Sequence, residues 1–431
     1  MLTRTGCVIP SESELKKTLT VRPNPSGDFP SPAPFKVYKE KGDRMCIPRY
    51  FGREIVSDIR PDPHKARLTT HFQPQNDIQT DAIEKGIHAL STVGGGVLSL
   101  PCGFGKTFCS IKIACHFKVR TIVVVHKEFL ATQWEEQIKR FCPGATIGRV
   151  QCDRLELDRD VSIALIQTLS QRTYPIGTFD TIGLLIVDEA HHVCARAFSQ
   201  FLFKLCPKYT LGLTATPERK DGLTRLLYWF LGPSFYCIER TSRDAEVKWV
   251  PYTGPFPEVA TTRFGKLSLP NMITDLSECP ERNEILCTLI DTLLNTTTRN
   301  ILLLTDRRCH AHFFTERYPD HSGLYIGGLK DVDRETSAQK RFIIATFGLA
   351  QEGLDIPKLD TVILATPKSD IKQAVGRILR GGSANPPIVY DVVDHWSVFY
   401  AMAQKRKKVY SEMQFILPHE AATVAKSVCV L

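Results

Sequence analysis

No apolar run in the sequence approaches the roughly 20 residues needed to cross a bilayer, so no membrane partner is expected. The N-terminus (MLTRTGCVIP) lacks the basic, apolar and small-residue order of a secretory leader. Its 14 cysteines run from Cys7 to Cys429 without one C-x-x-C pair. That spacing removes the common zinc-ribbon and dithiol redox frameworks. Dispersed thiols suit a reducing compartment, with a dispersed disulfide set as the alternative. An intracellular protein is therefore expected, in the host cytoplasm or virion if viral and otherwise in the nucleus. Short repeats and low-complexity arrays are also missing, which excludes repeat architectures.

What is present is ordinary globular material. The 431 residues are 43% hydrophobic and 23% charged, and a prior of roughly 150 residues per domain gives two or three domains. Fifty-five basic against 46 acidic residues leave a formal charge of +9. The excess favours a polyanionic partner, although many proteins without one are as basic.

Residues 1–70 read as an N-terminal extension. Its stretch Arg22–Phe35 carries five prolines and is expected to be extended or loop-like. From 71 to 235, short β-branched runs alternate with helical spacing: Val97–Leu100, Thr121–Val125, Val161–Ile166, Gly183–Val187 and Tyr209–Leu213 as strands, Thr107–Phe117 and Ala131–Phe141 as helices. Continuous apolar strands between helices indicate a parallel sheet covered on both faces. Residues 236–280 break the rhythm and read as a connector. A second alternation fills 281–431, with strands at Asn300–Thr305, Phe342–Thr346, Thr361–Ala365 and Ile388–Val393. The fold class is α/β, with two tandem parallel-sheet domains and a small N-terminal extension.

Pro101–Thr107 (PCGFGKT) lies between a strand and a helix. Gly103 and Gly105 let backbone amides approach phosphate oxygens, and the following helix N-terminus favours negative charge. Pro101, Cys102 and Phe104 complete the loop. Lys106 suits the β- and γ-phosphates of ATP, and Thr107 offers a hydroxyl to Mg²⁺. Leu100 stands where the full phosphate-loop pattern wants glycine, and a chance G-x-G-K-T turn is the plain alternative. Asp188–His191 (DEAH) follows the strand GLLIV, at the carboxyl edge where open α/β sheets bind ligands. Asp188 suits the Mg²⁺ shell and Glu189 the attacking water. The plain alternative makes Asp188 only a helix cap. Its force is reduced by a phosphate loop upstream with strands between, as a nucleotide hydrolase requires.

Thr214–Pro217 (TATP) reads as a relay through its hydroxyls or as a proline-ended loop. Gln373–Arg380 (QAVGRILR) places Gln373, Arg377 and Arg380 on one helical face. Arginines so placed can stabilise a transferring phosphoryl group, an effect of roughly 10³–10⁵ in rate. A solvated basic face is the other reading. With loop and acids in the first domain and arginines in the second, ATP is expected in a cleft that closes on binding and opens after hydrolysis.

In this order the blocks LPCGFGK (100–106), DEAH (188–191), GLTATP (212–217), FGLAQEGLDIP (347–357) and QAVGRILR (373–380) resemble the superfamily-2 DEAD/DEAH-box helicases. Within them the likeness is to XPB-like DNA helicases and their relatives in large DNA viruses. The resemblance implies two RecA-like domains and a DNA-dependent ATPase, with RNA as an alternative substrate and transcription-machinery proteins as partners. It implies that Gln79 reads adenine and that His191 couples the ATP site to the second domain. Gly353 and Asp355 join the ATP region. His126, Lys127, Gln133 and Trp134 lie along the nucleic-acid backbone, as do Arg307 and Thr346. Arg219-Lys220-Asp221 stands where XPB-like proteins carry Arg-Glu-Asp. A restriction-type motor subunit and a non-enzymatic nucleic-acid scaffold are the remaining readings.

Overall fold

The computed structural model describes the chain except residues 25–31, 52–56, 102, 216–217, 220, 239–244, 330, 355, 377, 380–384 and 419–431. The chain forms two units, Met1–Glu239 and Arg240–Leu431.

In the first unit, an eight-stranded sheet runs Arg154–Leu155, Ile147–Gln151, Val161–Leu165, Thr121–Val125, Leu184–Val187, Tyr209–Thr214, Gly95–Ser99, Ser234–Cys237. All neighbours are parallel except the outermost Arg154–Leu155. Successive side chains of a strand point to opposite faces. Thus Ile122, Val124, Leu185 and Val187 enter one core, while Val123, Val125, Leu184 and Ile186 enter the other. Burial on both faces explains why these strands read as unbroken apolar runs. Parallel strands also bring the turns after Gly95–Ser99, Thr121–Val125, Leu184–Val187 and Tyr209–Thr214 to one edge, which is where ligands bind in such sheets.

The N-terminal extension carries strands of its own among the described residues. Leu2–Thr3, Gly6–Pro10, Arg44–Ile47 and Lys39–Lys41 form an antiparallel sheet, and Thr20–Val21 pairs with Phe35–Lys36. Val21, Phe35 and Val37 are buried in a core of the eight-stranded sheet. The Arg49 guanidinium donates to the carbonyls of Pro207 (3.2 Å) and Lys208 (2.9 Å). The extension is thereby fastened to the loop before strand Tyr209–Thr214.

The second unit has a six-stranded, wholly parallel sheet in the order Glu246–Tyr252, Ile388–Asp394, Thr361–Leu364, Ile301–Thr305, Phe342–Thr346, Ser322–Tyr325. Its edge strand Glu246–Tyr252 falls in the segment read as a connector, yet it pairs residue for residue with Ile388–Asp394. Two buried ion pairs anchor that neighbour. Arg282 forks onto Asp394 (2.7 and 3.1 Å), and Arg406 forks onto Asp391 (2.6 and 2.8 Å), which also accepts from the Tyr410 hydroxyl (2.8 Å). Each charge has a hydrogen-bonded counter-charge, which is what makes such burial tolerable.

Candidate active site

The turn after Gly95–Ser99 carries Gly103 at φ +86° and Gly105 at φ +82°. Residues with a Cβ rarely adopt that conformation. At Gly105 a Cβ would also lie 2.6 Å from Gln79 Nε2. Gly105 opens the helix Lys106–Phe117 with no side-chain cap, leaving the first-turn N–H groups available to an anion. Lys106 Nζ meanwhile donates to the Leu100 carbonyl at 2.9 Å. The residue that departs from the usual glycine pattern thus contributes a carbonyl rest for the lysine.

Gln79 lies in the first turn of helix Asp77–Thr92, capped by Asn76, whose Oδ1 accepts from the Gln79 amide at 3.0 Å. It is 5% exposed, so its side chain is turned into the fold and not into solvent. Its Oε1 accepts from Gln75 N (2.9 Å) and its Nε2 donates to Phe104 O (3.3 Å). The side-chain amide therefore ties the incoming chain to the phosphate loop.

Across the sheet edge, Asp188 ends the strand Leu184–Val187. Its Oδ2 accepts from the Trp134 indole N–H at 2.8 Å and its Oδ1 from Glu189 N at 2.9 Å. Burial raises its pKa, with the neighbouring Glu189 charge adding to the effect; Trp134 and Lys106 oppose both. Glu189 holds φ +44° before the 3-10 turn Ala190–Cys194. A left-handed non-glycine residue costs on the order of 1–3 kcal/mol, and such strain concentrates at functional sites. Glu189 Oε2 is buried without a hydrogen-bond partner among the described residues, with His191 Nδ1 3.5 Å away. That orphan acceptor suits a water molecule that must lose a proton. The donor set also fits Mg²⁺, which is typically held by one or two carboxylates together with substrate phosphates. Asp188 and the Thr107 hydroxyl would hold it.

His191 Nδ1 meets Thr214 Oγ1 at 3.2 Å, so the first hydroxyl of TATP touches the acidic motif; Thr216 and Pro217 lie outside the described residues. The His191 ring packs tilted against His192 (centroids 4.3 Å apart), and His192 against His126 (4.1 Å), each pair at 38°. Burial pushes His191 down to about 4 and His192 to about 3, and it lowers His126 as well. The three rings are thus a neutral cluster near pH 7. Beneath them Arg219 donates to His191 O (2.5 Å) and forks onto Asp221 (2.9 and 2.5 Å).

The remaining expected residues divide. Trp134 is 2% exposed, so it faces Asp188 and not an open nucleic-acid track. His126 is buried in the histidine cluster. Lys127 and Gln133 sit at the start and on the flank of helix Glu128–Phe141, half-buried. In the second unit, Thr346 ends a strand and opens helix Phe347–Gly353. Arg307 donates to the Thr274 hydroxyl at 2.8 Å and to the Pro270 carbonyl. Gln373 lies on Lys372–Val375, a single helical turn that ends at Gly376. Cys102, Asp355, Arg377 and Arg380 lie outside the described residues.

Sequence reasoning named Arg219 but missed the Trp134–Asp188 bond, the packing of the three histidine rings and the Asn76 cap. Only Asn76 carried a local signal, as a cap before a helical pattern.

Residues 73–219 match the family model described as the Type III restriction enzyme res subunit. An ATP-dependent RNA helicase candidate of Acanthamoeba polyphaga mimivirus is 33% identical over 428 residues, covering 93% of this chain and 81% of that protein. A helicase candidate of Invertebrate iridescent virus 6 is 27% identical, covering 80% and 83%. An ATP-dependent RNA helicase candidate of African swine fever virus (isolate Pig/Kenya/KEN-50/1950) is 25% identical, covering 80% and 74%. Among solved structures, that of T4 UvsW aligns with 82% of this chain and 78% of its own at 17% identity, with a TM-score of 0.34.

Proposed function

The chain belongs to the superfamily-2 helicases of large DNA viruses, and on that premise we propose that it is an ATP-driven translocase acting on DNA. Family membership carries nucleic-acid-dependent ATP hydrolysis. The observation that supports the rest is the gathering of Lys106, Gln79, Asp188, Glu189, His191 and Thr214 around one edge of one sheet.

In the proposed reaction, Lys106 leaves the Leu100 carbonyl for the β- and γ-phosphates of ATP, and the N-terminus of helix Lys106–Phe117 receives the remaining phosphate charge. Mg²⁺, when bound, neutralises charge on the phosphate oxygens. Asp188 is its proposed carboxylate partner, and Trp134 fixes the rotamer of that carboxylate. Glu189 Oε2 accepts a hydrogen bond from the attacking water and takes its proton. Arg377 and Arg380 are the proposed cationic groups for the transferring phosphoryl group, with Gln373, Gly353 and Asp355 supporting them. Lys127, Gln133, Arg307 and Thr346 are the proposed contacts to the nucleic-acid backbone.

The choice of DNA rests on the XPB-like motif set. RNA is the second reading, favoured by the names of the mimivirus and African swine fever virus relatives. The proposed setting is transcription, replication or repair of a viral genome, in host cytoplasm or virion. ATP turnover measured with single-stranded DNA, duplex DNA and RNA as competing activators, at one salt concentration, tests the choice. Stimulation by DNA over RNA is expected; stimulation by RNA alone overturns the DNA assignment.

A further inference from the structure

The first unit carries a solvent-open pocket of about 310 Å³ between the N-terminal extension and the main sheet. Arg4, Lys39 and Arg60 line one wall, and segments 173–182 and 203–208 line the other. Those two segments precede strands Leu184–Val187 and Tyr209–Thr214, whose far ends carry Asp188 and Thr214. The cavity therefore lies at the opposite sheet edge from the ATP residues, about 20 Å away at roughly 3.3 Å per strand residue.

Its charge is unbalanced. Arg4 is paired with Asp180 (2.9 Å), Arg60 with Asp58 (2.6 Å) and Lys208 with Asp62 (3.8 Å). Lys39 and Lys204 have no carboxylate partner among the described residues. Lys204 spends its ammonium on the carbonyls of Leu169, Ser170 and Arg172 (2.8, 2.7 and 2.7 Å), which satisfies its donors and leaves its charge. Lys39 hangs over the Phe203 ring at 5.5 Å. Burial lowers the pKa of both, and the Lys39 charge lowers that of Lys204 further. Two partly desolvated cations that repel each other are relieved by an anion between them. Behind them Phe179, Ile182, Phe203 and Leu205 form a buried apolar floor, while Thr5, Thr173 and Thr178 add polar lining. Ile176 stands 93% exposed on the rim.

A nucleobase fits this poorly. The Phe203 and Tyr174 rings are already covered by Lys39 and Lys204 (5.5 and 6.0 Å), and Phe179 packs edge-on against Tyr174 at 4.9 Å. No open aromatic face is left for base stacking there. Carboxylates between aliphatic side chains match both the charge and the walls. We propose that the cavity is a docking site for an acidic, aliphatic-rich peptide segment of a partner protein, with Lys39 as its main ionic contact. The proposal is independent of the choice between DNA and RNA.

The test is fluorescence anisotropy of the full chain with a dye-labelled octapeptide, Glu-Glu-Leu-Phe-Glu-Glu-Leu-Leu. Wild type should bind it saturably. Lys39→Glu should weaken binding at least about tenfold, because it reverses the charge of the main ionic contact, and Lys39→Arg should retain it. Both variants should keep nucleic-acid-stimulated ATP hydrolysis, which also shows that they fold. Absence of saturable binding, or equal binding by Lys39→Glu, overturns the proposal. So does displacement of the peptide by oligothymidylate, which would make the cavity part of a nucleic-acid surface. Displacement by inorganic phosphate at peptide-like concentration would reduce it to a simple anion site and likewise overturn it.

Discussion

The indole N–H of Trp134 donates to Asp188 Oδ2 over 2.8 Å, joining the helix after one strand to the acid at the end of its neighbour. Trp134 is one of the four tryptophans in the chain. Its burial against Ile138 and Ile186 in one core leaves the ring little freedom. The carboxylate is therefore held in one orientation by a group that is itself held by packing. Outer groups of this kind typically alter metal affinity by 10–100-fold.

Trp134→Phe keeps the aromatic packing and removes the donor. Affinity for ADP in the presence of Mg²⁺ should fall by about tenfold, while affinity for ADP in chelator should be unchanged. Calorimetric titration under both conditions separates the two. An equal loss in both would mean that the ring acts only through packing.

Gly105→Ala places a methyl group where φ is +82° and Gln79 Nε2 is 2.6 Å away. The backbone alone costs on the order of 1–3 kcal/mol, and Gln79 must release the Phe104 carbonyl. Loss of nucleotide binding by about tenfold is expected, with a lowered melting temperature. Gly144→Ala, where nothing lies within 4 Å of the added carbon, serves as the control and should be near neutral in both measurements.

His310 bridges Thr305 and Asn283 (3.0 Å each) inside the second unit. Burial, aided by the Arg282 charge, pushes it from its ordinary 6.5 to about 3. The folded chain thus refuses a proton that the unfolded chain binds below pH 6.5. Its contribution to stability is complete above pH 6.5 and declines as pH falls toward 3. Within that window a single such group gives a slope of about 1.4 kcal/mol per pH unit. Denaturant unfolding followed from pH 7 to pH 5 should lose that much slope in His310→Gln; an unchanged slope contradicts the buried neutral ring.

These positions also show where the sequence was readable. Thr121–Val125 and Phe342–Thr346 were delimited to the residue, because a strand buried on both faces is an uninterrupted apolar run between turns. The phosphate loop and the acids were equally plain, since their chemistry depends on local spacing. The N-terminal sheet escaped because its strands are two to five residues long and carry too few positions to show a period. Strand Glu246–Tyr252 escaped for another reason. It contains Pro251 and two charged residues, Glu246 and Lys248, features of a sheet edge that read as loop. The Trp134 bond was invisible because it depends on which strands are neighbours, and sequence distance does not encode that.

The central claim is that Glu189 activates the water that cleaves ATP. The most direct measurement is single-turnover ATP hydrolysis by Glu189→Gln at saturating nucleic acid, beside a nucleotide-binding titration. Glutamine keeps the size of the side chain and removes the base. The account predicts binding close to wild type and hydrolysis reduced by at least about a hundredfold, the lower end of a general base's contribution. Hydrolysis at the wild-type rate would contradict it.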